Sequence, residues 1–110
     1  MIRVTLLCSG GEIVGFTSEG HAGYADPGRD IVCSAVSALT IATLNGLTGV
    51  ARAPIGAEVD ETDGITCIID ANATNEERQR AALLLETMAL GLRSIEKEYK
   101  GYLKISEREV

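Results

Sequence analysis

The only histidine of the chain, His21, stands in a glycine-rich stretch, and Cys33 follows it where an apolar helical pattern begins. An imidazole and a thiol are a sufficient pair for nucleophilic chemistry near neutral pH. The ring takes the thiol proton, the sulfur attacks a carbonyl, and the ring then protonates the leaving amine. With Asp30 as the N-cap, Cys33 occupies the third helical position, where unsatisfied backbone N–H groups and the positive end of the helix dipole favour a thiolate. The same donors could receive an oxyanion. Gly20, Gly23 and Gly28 give the loop freedom to fold His21 toward the sulfur, and they read equally as hinges of a lid or as plain turn residues. Ser37 lies one helical turn beyond Cys33 on the same face, so its hydroxyl either supports the thiol or bonds a preceding carbonyl. Asp30 is by default a cap and can also join the site, although its charge opposes a thiolate unless His21 is protonated nearby.

Each of these residues also has an inert reading. Cys8 and Cys67 fall at apolar positions of strand patterns and read as small buried hydrophobes. Cys33 can be the same at a helix start, and His21 can be a solvated loop residue. A non-catalytic module that binds a peptide or an anion with a passive thiol is therefore the alternative to an enzyme. Three cysteines without a C-x-x-C disfavour a disulfide framework and a zinc cluster, so no metal or cofactor is implied. A redox or metal sensor has too few ligands to stand on.

Elements of ordinary pattern must hold these residues in place. Ile2 to Cys8 alternates with apolar residues at even positions, Ser9-Gly10-Gly11 is turn chemistry, and Glu12 to Thr17 is a second strand. The stretch from Ser18 to Asp30 has no period and reads as a long loop. A helix over Ile31 to Leu47 follows, with Val32, Val36, Leu39, Thr43 and Leu47 facing inward, small residues at Ser34, Ala35, Ser37 and Ala38 for close packing on a sheet, and Gly46 and Gly49 as its end. Ile55 to Glu61 and Ile65 to Ala71 flank Thr62-Asp63-Gly64, a hairpin signal. Thr74 and Glu77 form a capping box before a second helix, whose inner face reads Ala81, Leu84, Leu85, Met88, Leu92, Ile95 and Tyr99. Glu76 and Arg80 are spaced to pair on its outer side. Gly101 ends it, and Tyr102 to Arg108 reads as an edge strand. The fold class is α/β, a small two-layer domain with a mixed, largely antiparallel sheet, two helices and the order β-β-α-β-β-α-β.

The 110 residues fit one domain over 1–110. Aromatic residues make up 4%, so the core must be aliphatic and stacking platforms for bases are scarce. A net charge of −6 with no basic run argues against nucleic acid as a partner. The longest uncharged stretch, Ile31 to Ala51, carries enough Ser, Thr and Asn to read as too polar for a membrane span. No signal-peptide pattern follows Arg3, and the expected location is cytoplasmic.

Gly20-His21-Ala22, then Gly28, then Asp30-Ile31-Val32-Cys33 with Ala35-Val36-Ser37-Ala38 behind it, resembles the ribosomal-processing cysteine protease (Prp) family. The resemblance covers essentially the whole chain in length and element order. It implies a bacterial endopeptidase that removes a short N-terminal extension from a large-subunit ribosomal protein, cutting after two Phe residues and before a small one, and that forms homodimers. Carried over by residue, Cys33 is the nucleophile and His21 the general base, with Asp30 and Ser37 in support and no cofactor. Ser34 departs from the pattern, since the family often has Ala there, and it adds a hydroxyl beside the nucleophile.

Overall fold

The computed structural model describes residues 1–26, 29–60 and 64–110. Its elements are β1 (Ile2–Ser9), β2 (Glu12–Glu19), α1 (Ile31–Gly49), β3 (Ile55–Asp60), β4 (Gly64–Ile69), α2 (Asn75–Glu98) and β5 (Leu103–Glu109). They form one five-stranded sheet in the order β3-β4-β2-β1-β5. Three neighbouring pairs are antiparallel and β1 runs parallel to β5, which gives the mixed sheet expected and puts β5 at an edge.

The alternation in β1 decides which face is buried. Leu6 lies opposite Phe16, which lies opposite Cys67, so the three side chains share one face across three strands. Ile2, Val4 and Leu103 join them, and the core closes against Val32, Val36 and Leu47 of α1 and Ala81, Leu85, Met88 and Leu92 of α2. Both helices therefore cover the same side of the sheet, a two-layer arrangement. The second helix starts where its capping box places it: Thr74 Oγ1 accepts from the Glu77 N–H at 3.1 Å, and Glu77 Oε1 accepts from the Thr74 N–H at 2.8 Å.

Several local expectations change. The second strand continues to Glu19, because Thr17 and Ser18 pair with β1 on one side and with Thr66 and Ile65 on the other. Helix α1 runs through Gly46 to Gly49, with the Val50 N–H closing on the Gly46 carbonyl at 2.8 Å. Gly46 instead serves helix packing, since a Cβ there would stand 3.3 Å from Leu84 Cδ1, and Gly91 of α2 meets Leu39 in the same way at 3.0 Å. The small residues Ser34, Ser37 and Ala38 face outward, while Thr40 is buried with its hydroxyl donating to the Val36 carbonyl at 2.9 Å. Arg80 does not pair with Glu76; its Nε donates to the Ala51 carbonyl at 2.7 Å and ties α2 to the segment after α1. By length and composition α1 is apolar enough to cross a bilayer, against the sequence expectation, yet here Val32, Val36, Thr40 and Leu47 are buried in the protein core.

Thr62 and Asp63 of the expected hairpin turn lie outside the described residues, but β3 and β4 pair up to Asp60 opposite Gly64. Gly64 has φ +106°, and a Cβ there would lie 1.8 Å from the Ser18 carbonyl oxygen. We expect Gly64→Ala to lower unfolding free energy by about 2 kcal/mol or more, the scale of backbone strain added to a steric clash. Urea unfolding of the two proteins checks this.

Candidate active site

The site begins with an acid that cannot be replaced by an apolar cap. Asp30 has extended backbone dihedrals, and its Oδ1 accepts from the N–H groups of Val32 and Cys33, each at 3.0 Å. This satisfies donors that a helix start leaves free. Its Oδ2 reaches back to the preceding loop and accepts from the Tyr24 N–H at 3.0 Å and the Ala25 N–H at 3.4 Å. One buried side chain thus joins loop and helix.

Tying the loop down places Ala22 against the helix. Ala22 is buried, and its N–H donates to Cys33 Sγ at 3.3 Å. This bond joins the sulfur to the loop. The helix terminus contributes less than the sequence suggests. The Val32 and Cys33 donors expected for an oxyanion are bonded to Asp30, and the Ser34 N–H is bonded to the Asp30 carbonyl at 3.0 Å.

His21 and Cys33 open onto one groove of about 230 Å³. Its walls come from Ser37, Thr40 and Ile41 of α1, from Ser18, Glu19 and Gly20 at the end of β2, and from Val59, Asp60, Gly64 and Ile65 of the β3–β4 hairpin. Among the described residues no hydrogen bond joins the His21 ring to the Cys33 sulfur, and none links the Ser37 hydroxyl to that sulfur. His21 is exposed at the groove edge. Gly20 has φ +89° and a Cβ there would lie 2.5 Å from the Met1 carbonyl oxygen, which marks it as a fixed, close-packed turn. Gly23 has φ +69° with open space around it, and Gly28 lies outside the described residues.

The other two thiols sit in environments that oppose ionisation. Burial pushes Cys67 up to about 11. Cys8 is raised first by burial and then by the charges of Glu107 and Glu109, against a smaller opposing effect of Arg93. Cys33, by contrast, lines the groove and accepts a backbone N–H.

Residues 1–104 match the family described as Cysteine protease Prp. The chain belongs to this family. It is 32% identical over 108 residues to the ribosomal processing cysteine protease Prp of Bacillus subtilis (strain 168), an alignment covering 96% of each protein. Its fold is similar to that of the essential ribosomal processing protease Prp from S. aureus in a crystal structure with a covalently linked product peptide, with a TM-score of 0.85 and 27% identity over 98% of this chain and 100% of that one. The S. aureus protease in complex with a substrate peptide is similar too, with a TM-score of 0.80, 26% identity and coverage of 98% and 100%. Membership of the Prp family decides between enzyme and passive binding module: the chain is a cysteine-type peptidase.

Missing from the sequence reading are the Ala22 amide, which has no side-chain signature, and the hairpin wall of Val59, Asp60 and Ile65, which only the sheet order brings to α1. The Asp-x-x-Cys spacing was the one local signal for the Asp30 bonds.

The Asp30 carboxyl is held below the usual carboxylate range chiefly by the Cys33 N–H; burial opposes this, and the Tyr24 and Ala25 N–H groups add to it. A folded-state value below the unfolded one, near 3.9, stabilises the fold fully above about pH 4, and this contribution is lost as pH falls through the folded value. We expect wild type to exceed Asp30→Asn in stability at neutral pH and the gap to close as acid protonates Asp30. Urea unfolding across pH checks this, and a gap independent of pH contradicts it.

Proposed function

We propose that this chain is a cytoplasmic endopeptidase, one domain over 1–110, that removes a short N-terminal extension from a large-subunit ribosomal protein by a Cys33–His21 dyad. The observation that carries the reading is the Ala22 N–H on Cys33 Sγ at 3.3 Å, beside a groove that His21 also lines. His21 takes the Cys33 proton as the sulfur attacks the scissile carbonyl carbon. The tetrahedral adduct collapses to a thioester while His21 gives the proton to the leaving amine. Water, deprotonated by His21, then attacks the thioester, and the returning proton restores the Cys33 thiol with release of the acid product.

The groove chemistry supports an extended peptide of mixed character. Ile41, Val59 and Ile65 offer apolar surface, and Glu19 and Asp60 add negative charge in a chain of net charge −6. A basic ribosomal-protein extension with apolar side chains at the cut would match both, and opposite charge speeds encounter. Nucleic acid is not required as a partner. Asp30 acts by holding loop and helix together, and Ser37, one turn from Cys33, borders the bound peptide. The functional unit is a homodimer, as the family resemblance implies.

A peptide with a Phe-Phe-small junction is expected to be cut by wild type, while Cys33→Ala loses turnover completely and His21→Ala retains about one hundredth or less, the scale of lost general base catalysis. Chromatographic assay of the two fragments checks this. Equal cleavage by wild type and Cys33→Ala would remove Cys33 as the nucleophile.

A further inference from the structure

The three tyrosines of the chain, in a protein with 4% aromatic residues, meet at one place. Tyr24, on the loop between β2 and α1, makes edge-on ring contacts with Tyr99 at 5.6 Å and Tyr102 at 5.1 Å between centroids. The two receiving rings are held firmly. Tyr99 caps α2, with its N–H on the Ile95 carbonyl at 2.8 Å. The Tyr102 N–H donates to the Tyr99 carbonyl at 3.1 Å, and the Tyr102 carbonyl accepts from Ile2 at 2.9 Å, which ties this corner to the start of β1. Both receiving side chains are half-buried against the core. Tyr24 itself is 42% exposed, so burial does not explain its place, and the ring contacts do.

The backbone around Tyr24 connects this corner to the sulfur. Two residues earlier, Ala22 donates to Cys33 Sγ, and Tyr24 and Ala25 donate to Asp30. Gly23, with φ +69° and open space where a Cβ would stand, joins Ala22 to Tyr24 in a conformation that glycine adopts freely. A segment with such a joint needs an anchor on its far side if the Ala22 amide is to keep its aim. We infer that Tyr24 is a positioning residue: its ring, clasped by Tyr99 and Tyr102, holds the 22–25 segment so that the Ala22 N–H stays on the Cys33 sulfur. The inference rests on Cys33 being the nucleophile. It assigns a functional role to the end of α2, an element with no residue among the described ones that line the groove.

The test measures the rate of Cys33 alkylation by iodoacetamide at pH 7, followed by peptide mapping, and kcat and KM for the Phe-Phe-small peptide, in wild type, Tyr24→Ala and Tyr24→Phe. Losing two edge-to-face contacts while keeping the Asp30 bonds should slow alkylation and lower kcat about tenfold in Tyr24→Ala, with KM changing less. Tyr24→Phe keeps the ring and should behave as wild type, and the unfolding midpoint of Tyr24→Ala should move little. In Tyr102→Leu, which removes one receiving ring, adding Tyr24→Ala should cost less than it does in wild type. Wild-type alkylation by Tyr24→Ala, or a Tyr24→Phe protein as slow as Tyr24→Ala, would overturn the clasp. Alkylation is read on the sulfur without any cleavage, so this failure is distinct from that of the nucleophile reading, which falls only if Cys33→Ala still cuts peptide.

Discussion

Four backbone N–H groups converge on the two oxygens of Asp30, two from the first turn of α1 and two from the loop before it. A carboxylate is suited to this because it only accepts, and charge-assisted bonds to backbone N–H groups are among the stronger ones a protein makes. The consequence is geometric. Cys33 is set at the helix start by the same group that folds the loop over it, so the Ala22 amide and the sulfur are brought together by a side chain that need not touch substrate. Asp30 also occupies the helix donors that a generic helix terminus would offer to an anion. The amide donor left facing the sulfur therefore comes from the loop, and the order of that loop becomes a condition for the chemistry.

The rest of the fold serves this corner from a distance. The crossed contacts of Leu39 with Gly91 and of Leu84 with Gly46 let the helices approach closely over the sheet, which sets where the start of α1 lies relative to β2. The β3–β4 hairpin then supplies the far wall of the groove, and its close approach to β2 at Gly64 leaves no room for a side chain. The remaining thiols show what Cys33 would be without this setting. Cys67, buried in the sheet, is a core atom that resists ionisation, and Cys8 lies near the carboxylates of β5.

Local features were legible in the sequence where one segment decides them. The alternation of β1, the Thr74–Glu77 capping box, Asp30 as a cap and Cys33 in the first turn all depend on neighbours within a few residues, and the element order follows from them. Pairings across the chain were not legible. The parallel partnership of β1 with β5, the bond from Arg80 to the Ala51 carbonyl in place of a helix ion pair, and the meeting of Tyr24 with Tyr99 and Tyr102 depend on how layers stack. Periodicity also misjudged the outward side of α1, because its small polar and apolar residues alternate too evenly to reveal which stripe faces the core.

The chemistry at Cys33 depends on a loop whose amides point at Asp30 and at the sulfur. Hydrogen exchange of individual amides, followed by NMR at neutral pH in the protein without substrate, tests it most directly. The amides of Ala22, Tyr24 and Ala25 are expected to exchange markedly more slowly than that of the exposed Gly23 between them. Uniform exchange at the unprotected rate from Gly20 to Asp26 would contradict it.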